Sequence, residues 1–409
     1  MNSNNNNKNN EYSVRLVKDS TTGAKLAPSL FKMLYSAYRQ ARKNKRNTRN
    51  QLEFEMNLEH NLLVLSNELE NRTYKLSPAI CFINEKPVKR EVVAANFRDR
   101  VVHHLLCSWI FPIFERQFIY DSYSCRKNKG TLFGINRARY FIKAASDNFH
   151  KDCWVLRLDV KGFFMSINKE LLFKLIMDGI HKSKIKNIPD NDLCKYLIRL
   201  IVFSNPIETA IFQSPVRAWL DLPNDKTLKY AGIENGLPIG NLTSQLFGNV
   251  YMNQLDHYIK QKLKIKYYGR YVDDMVLVSD NKQILLEAMP KIRDFLKNEL
   301  KLTLHPKKIR LQQARKGFDF LGVRILPYRV YPGRRIMVNC KNTITNRAAT
   351  RNQIESYLGI MKHLNGANKL RNELEHKKAG APLTGCPCKY LLTTKFHLSS
   401  PQGDHLDLL

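Results

Sequence analysis

The sequence predicts an α+β protein of two or three subdomains, with helices packed on a small antiparallel sheet. Three observations lead there. At 409 residues the chain outgrows one small core, and 43% apolar residues suffice to bury most of its length. Short β-rich runs at 155–160, 267–272 and 275–278 are interleaved with longer amphipathic helical stretches. The last two runs are separated only by Asp273-Asp274, a tight-turn signal between antiparallel strands.

The elements follow in order. Residues 1–25 form a low-complexity unit, since the first ten are nearly all Asn, and disorder is expected there. Residues 26–71 carry a helical pattern, with basic residues crowded from Arg39 to Arg49 and an amphipathic stretch at 52–69. Between 74 and 93 short β-like pieces are broken by Pro78 and Pro87. A helix follows with Arg98, Arg100 and the apolar run 101–110. We place a boundary near 150. The next unit, 151–326, reads as strand (155–160), helix (169–180), a Pro/Gly/Asn-rich connector (205–240), helix (244–264) and the 267–278 hairpin. A helix at 282–300 and strands around Leu302 and at 318–325 complete it. The final unit, 327–409, holds a basic helical segment at 346–375 and a Gly/Pro-rich tail. There is no internal repeat.

Charge narrows the partner. Lys and Arg number 67 against 36 Asp and Glu, a formal net charge of +31, and such one-sidedness points to a polyanion. No apolar run is long enough to span a bilayer and no basic amphipathic helix stands apart, so nucleic acid is favoured over a membrane. Eight irregularly spaced cysteines and an opening without a secretory signal suggest free thiols in a reducing cytoplasm. Cys386-Pro-Cys388, flanked by His376 and His397, is the one cluster reminiscent of a metal site, but its single-residue spacing is too short for a zinc finger.

The chemistry sits on three carboxylates. Two adjacent aspartates at a hairpin repel each other and are partly desolvated, a cost that a divalent cation removes. Asp159 ends another apolar strand and reaches the same place if the two strands are neighbours. Mg²⁺ prefers such hard oxygen ligands and keeps sites for water and phosphate, with Mn²⁺ a substitute. Two ions about 3.5–4 Å apart can activate a 3′-hydroxyl and stabilise a pyrophosphate leaving group. On its own, a DD pair is more often an exposed turn.

The context resembles the reverse transcriptase family. Tyr271-Val272-Asp273-Asp274 between strands is similar to its active-site hairpin, and LDVKGFF (158–164) to its first catalytic motif. GLPIGNLTSQLFGNVYMNQLD (236–256) resembles the motif between the carboxylate elements, REVVAANFRDRVVHHLL (90–106) the basic finger motifs, and Phe320-Leu321-Gly322 the primer-grip hairpin. All lie in the family's order. The resemblance implies a right-hand polymerase: mostly helical fingers (26–150), an antiparallel-sheet palm (151–326) and a small helical thumb (327–409). It implies RNA-directed DNA synthesis, with Asp159, Asp273 and Asp274 catalytic and Asp159, Val160, Asp273 and Asp274 holding two Mg²⁺ ions.

Further roles come with it. Phe164, five residues past Asp159, matches the aromatic gate beneath the incoming sugar, with one of Phe163 and Phe164 left to the core. Lys89, Arg90 and Arg98 match the basic region that holds the dNTP, and Ile239, Gly240 and Gln245 the backbone-close part of that site. Lys307 or Lys308 is the candidate general acid. Arg39 and Arg42 at one end, and Arg347, Arg351, Lys362, Lys369 and Arg371 at the other, would line the groove for template RNA, cDNA and their hybrid. The Ile239-Gly240…Ser244-Gln245 pattern is closer to the reverse transcriptases of diversity-generating retroelements than to retroviral or group II intron enzymes. So are YYGRYVDDMVLVS (267–279) and ESYLGIMKHLNGANKLR (355–371). This implies mutagenic copying at template adenines, loosened by Ile239, with a small basic accessory protein as partner. Ile239 also reads as an apolar residue packed beneath the motif. Rival readings are an antiphage defence reverse transcriptase using a non-coding RNA, and an inactive basic RNA-binding scaffold. No RNase H, protease, integrase or endonuclease segment is visible, so template removal and integration are expected to come from elsewhere.

Overall fold

The computed structural model describes residues 29–43, 48–85, 88–183, 188–346 and 348–380. The low-complexity opening, Arg347, the Cys386/Cys388/His397 cluster and the tail lie outside them. Three helices come first: α1 (Leu30–Arg42), α2 (Arg49–Met56) and α3 (Leu58–Glu70). The stretch expected to be one amphipathic run at 52–69 is two helices, because Asn57 leaves helical geometry (φ −128°, ψ 49°). In α1, Leu34, Ala37, Tyr38 and Ala41 are buried at i, i+3, i+4 and i+7, and this stripe packs on α4 (Phe97–Glu115). The side chain of Asn96 caps α4 by accepting from the Arg98 N–H.

Between α3 and α4 run β1 (Ile80–Asn84) and β2 (Arg90–Ala94), paired antiparallel, and β1 also pairs parallel with β4 (Ile211–Phe212) from the connector. After α4 come α5 (Thr131–Ala145) and β3 (Trp154–Leu158). The short α6 (Phe163–Ser166) and then α7 (Lys169–His181) follow, and α8 (Asn191–Phe203), which the sequence reading left unassigned, precedes the connector. Past it are α9 (Leu242–His257), β5 (Tyr267–Tyr271), β6 (Asp274–Ser279), α10 (Lys282–Asn298) and β7 (Arg310–Gln313).

The main sheet has the order β5-β6-β3-β7 with every pair antiparallel. Its two faces follow the period of two expected of a strand. Leu156, Leu158, Tyr268, Met275 and Leu277 join one core with residues of α4, α7, α9 and α10. Val155, Val276 and Val278 face the other way and join a second core with Ile135, Ala138, Phe141 and Ile142 of α5. The strand expected around Leu302 is a correction: only Leu304 bridges to Val160 there.

A three-stranded unit, β8 (Phe318–Phe320), β9 (Val323–Ile325) and β10 (Val330–Pro332), leads into α11 (Arg334–Thr345), α12 (Arg351–Met361) and α13 (Asn368–Gly380). Helix therefore begins at 334, ahead of the expected 346. Cys340, Ile354, Leu358, Met361, Leu370 and Leu374 bury these helices in the second core. Among the described residues no helix is long and apolar enough to cross a membrane. None of the six cysteines there, Cys81, Cys107, Cys125, Cys153, Cys194 and Cys340, takes part in a disulfide among the described residues.

Candidate active site

The β3–β6 register pairs Leu158 with Met275. Continued by one residue, it sets Asp159 across from Asp274, so the strand-end carboxylate and the hairpin pair are neighbours. Val272 and Asp273 form a two-residue turn between the paired Tyr271 and Asp274. Val272 takes φ +54°, a left-handed conformation that a β-branched residue adopts at a cost of about 1–3 kcal/mol. Asp273 is pushed up to about 7 by burial first, then by the negative charges of Asp159 and Asp274. Burial also raises Asp274, to about 6, against the pull of Arg157 at 3.7 Å.

Cations already answer this charge. Lys308 Nζ donates to both oxygens of Asp159 at 2.9 Å. On the other edge, the N–H of Lys161 donates to Thr303 and that of His305 to Asp159, each through the backbone, around the Val160–Leu304 bridge. In such a pair the N–H and C=O of Val160 point away from the 303–305 segment, toward the hairpin side. The donor set is hard oxygen throughout, and its charges repel, which suits a divalent cation. In this arrangement no three His, Cys, Asp or Glu side chains among the described residues sit close enough together to hold an ion. The carboxylate of Asp159 is engaged by Lys308 instead.

Of the expected nucleotide-side residues, Arg90 senses the charge of this turn. Arg90 is depressed by burial first and by the like charge of Arg335 second, while Asp273 acts in the opposite sense. That puts Arg335 and Asp273 each within electrostatic range of Arg90. The Nε of Arg90 is buried without a partner, as is Oε1 of Gln245. Orphaned buried donors and acceptors of this kind are what a polar ligand would satisfy. Phe163 is core, whereas Phe164 is half-buried with its ring 5.1 Å from that of Phe163. The carbonyl of Ile239, itself half-buried, accepts from the Val93 N–H at 2.8 Å, which pins the loop to β2.

Gly240 beside it adopts φ +122°, and a Cβ there would stand 3.0 Å from Val92 Cγ1 and 3.3 Å from the Val93 carbonyl. Gly240→Ala is therefore expected to cost about 1–3 kcal/mol, read as a lowered midpoint in urea unfolding. An unchanged midpoint would mean that the loop relaxes freely.

Other expected residues are placed elsewhere. Arg98 pairs with Glu68, donates to the Lys75 carbonyl and lies over the Tyr74 ring, so its guanidinium is committed to holding α3 against α4. Lys89 lies 3.7 Å from the exposed Asp221. Lys307 sits beside Lys308 in a short 3₁₀ turn. Arg39 is exposed, whereas Arg42 pairs with Glu55 at 2.5 Å. Both line a cleft of about 620 Å³ with Tyr35, Tyr38 and Lys43. Arg351 pairs with Glu355, Arg371 lies 3.9 Å from Glu375, and Lys362 is exposed.

Three residues escaped the sequence reading: Arg157, Asp256 and Arg270. Each is a charge inside an otherwise apolar strand or at the end of a buried helix, and that placement was the available signal.

Residues 85–325 match the family described as reverse transcriptase (RNA-dependent DNA polymerase). Among curated proteins, YkfC of Escherichia coli (strain K12) is 21% identical over 299 residues, covering 65% of this chain and 71% of that protein. A putative COX1/OXI3 intron 2 protein of Saccharomyces cerevisiae is 23% identical over 312 residues, with 66% of this chain covered. The chain spans only 35% of that protein's length. Among solved structures, telomerase from Candida albicans in complex with a fragment of telomeric RNA aligns with TM-score 0.46 at 10% identity, over 80% of this chain and 59% of that one. Apo telomerase from Candida tropicalis aligns with TM-score 0.45, over 75% and 59%. With the matched stretch covering more than half of its length and containing all three aspartates, the chain belongs to the reverse transcriptase family.

Proposed function

We propose that this chain is an RNA-directed DNA polymerase arranged as a right hand, with fingers at 26–150, palm at 151–326 and thumb at 327–409. The observation that carries the reading is the β3–β6 register, which makes Asp159 a neighbour of the Asp273–Asp274 turn. Asp159, the Val160 carbonyl, Asp273 and Asp274 would hold two Mg²⁺ ions, which when bound activate the primer 3′-hydroxyl and neutralise the departing pyrophosphate. The chain's own residues do the rest. Arg90, with Lys89 nearby in the same hairpin, draws in the triphosphate. Gln245 offers its free acceptor to the nucleotide, and Gly240 leaves room for backbone approach. Phe164 forms a wall beneath the sugar. The basic surface of both ends, with Arg39, Arg351, Lys362 and Arg371 among its charges, attracts the RNA–DNA hybrid through its phosphates.

Lys308 is the better placed of the two candidate acids, because it already sits at Asp159 whereas Lys307 has no such contact. Lys308→Ala is expected to slow single-turnover nucleotide addition by roughly 10²-fold with dNTP affinity little changed. A rate within twofold of the unsubstituted protein would return Lys308 to a purely structural role.

Within this reading we place the enzyme among those of diversity-generating retroelements, on the Ile239-Gly240…Ser244-Gln245 pattern. Primer extension on an RNA template with dNTPs and Mg²⁺ tests both levels. DNA that requires the aspartates supports the polymerase, and errors gathered at template adenines support the mutagenic subtype. Faithful copying would favour the defence reading. DNA made only when a small basic protein is added would reveal the accessory partner, and no product under any condition would favour the inactive scaffold.

A further inference from the structure

Behind the Asp273–Asp274 turn lies a fully buried arginine. Arg270 Nε and Nη2 donate to the two oxygens of Asp256 at 2.8 and 2.7 Å, and neither side chain is exposed at all. Its Nη1 donates to the Val272 carbonyl at 2.7 Å and to Asn249 Oδ1 at 3.2 Å. Nη2 also reaches Ser122 Oγ at 3.3 Å. Asp256 is fixed in turn by the Tyr268 hydroxyl at 2.7 Å.

A buried ion pair is a poor device for stability, since desolvating two charges offsets most of their attraction and an apolar pair would fill the space as well. What an apolar pair could not do is hold the carbonyl of Val272. That residue occupies a left-handed conformation its branched side chain disfavours, one residue before Asp273. Left to itself the turn would relax and both carboxylates would swing. β5 is also braced from its other side, because the Tyr123 phenol fills the space where a side chain on Gly269 would stand. Asp256 lies in the last turn of the helix whose first turn carries Gln245, so the same pair ties that helix to the turn.

We propose that Arg270, anchored by Asp256, is a positioning residue: by taking the Val272 carbonyl it holds the turn in its left-handed form and sets where Asp273 and Asp274 stand. Its catalytic consequence rests on the polymerase reading, while the geometric claim stands apart from it. Lysine at 270 keeps the charge beside Asp256, but its compact ammonium with three N–H groups cannot span the five acceptor atoms on four residues that the guanidinium reaches.

In the full chain, Arg270→Lys is expected to bind an RNA–DNA hybrid like the unsubstituted protein and to leave the dNTP KM nearly unchanged, while kcat falls roughly 10- to 100-fold. In a Val272→Gly background, where the left-handed conformation needs no support, the same lysine should cost less than about threefold. Two factors that simply multiply would overturn the proposal. So would an equal kcat loss in Leu285→Ala matched for melting temperature, because that core variant removes none of the hydrogen bonds to Arg270 or Asp256. Should Arg270→Lys fail to fold, amide hydrogen exchange on the unsubstituted protein decides. The peptide over 268–274 should exchange as slowly as that over 154–158, and exchange as fast as at the largely exposed turn 231–234 would refute a held turn. If the unsubstituted protein makes no DNA, the polymerase reading fails, yet the exchange result still settles whether the turn is held.

Discussion

Replacing Asp273 with asparagine is expected to abolish DNA synthesis while making the metal-free protein more stable at alkaline pH. On the proposed reading the loss follows from removing a metal ligand that would support several kcal/mol of charge stabilisation, a rate decrease on the order of 10³-fold or more. The gain follows from the carboxyl's own discomfort. Burial, Asp159 and Asp274 push Asp273 up to about 7, so the folded protein binds its proton more tightly than the unfolded chain does. A raised acid stabilises the fold below its ordinary value near 4, and that contribution is lost as pH rises through about 7. Asparagine has no such charge to expel. At pH 8 without metal, Asp273→Asn should therefore melt roughly 2–4 °C above the unsubstituted protein, and the gap should close toward pH 4. Added Mg²⁺ should narrow it again at pH 8 by raising only the unsubstituted protein. Thermal melts across pH 4–8 check this. A variant that melts lower at pH 8, or a gap unchanged at pH 4, would mean that Asp273 is comfortable without a cation and is no metal ligand.

That discomfort was legible in the sequence as two adjacent aspartates between apolar runs. The nearness of Asp159 was legible only as a condition, because no local pattern states which strands pair. The four strands of the main sheet were visible by composition, except that β7, with RLQQ at 310–313, has too little alternation to show. The helix α8 carries a clear apolar stripe, with Leu193, Leu197, Ile198 and Ile201 buried. It was passed over beside the Pro/Gly-rich connector that follows it.

The site showed the same division. Motif positions proposed to meet a ligand stood out, since their residue types are costly when left without a partner. Those that hold the motif did not, because a partner distant in sequence explains them. Arg98 and Arg90 look alike in REVVAANFRDR, yet one pairs with Glu68 from 30 positions earlier and the other keeps a buried nitrogen unpaired. Arg270 entered the sequence reading only as one letter of YYGRYVDDMVLVS, with no role of its own. Only the fold puts Asp256, 14 positions earlier, beside it.

Removing the ring of Phe164 is the second large effect expected, and it concerns selectivity rather than rate. The ring can act as a wall only if it cannot retreat, and its surroundings deny it space. Phe163 lies behind it at 5.1 Å between centroids and is itself buried in the main core. Gly248 of α9 faces both rings so closely that a Cβ there would lie 3.2 Å from Phe163 and 3.3 Å from Phe164. The Phe164 carbonyl is tied to the Leu237 N–H at 2.8 Å, which fixes the backbone as well. A 2′-hydroxyl meeting such a ring pays in clash what a deoxyribose does not, and roughly 3–4 kcal/mol of clash corresponds to about 10²- to 10³-fold discrimination. Phe164→Ala should lose that factor in the ratio of kcat/KM for dNTP over rNTP, while dNTP incorporation itself changes only a few-fold. Phe163→Ala serves as the contrast. Its ring is wholly core, so it should cost about 3–5 kcal/mol of stability and leave sugar selectivity alone. Were the two variants to behave in the opposite way, the gate would belong to Phe163 and the burial of that ring would have to open when nucleotide binds. Were neither to alter sugar choice, the discrimination would lie with the backbone around Gly240, the other part of the proposed nucleotide site, in the loop pinned to β2.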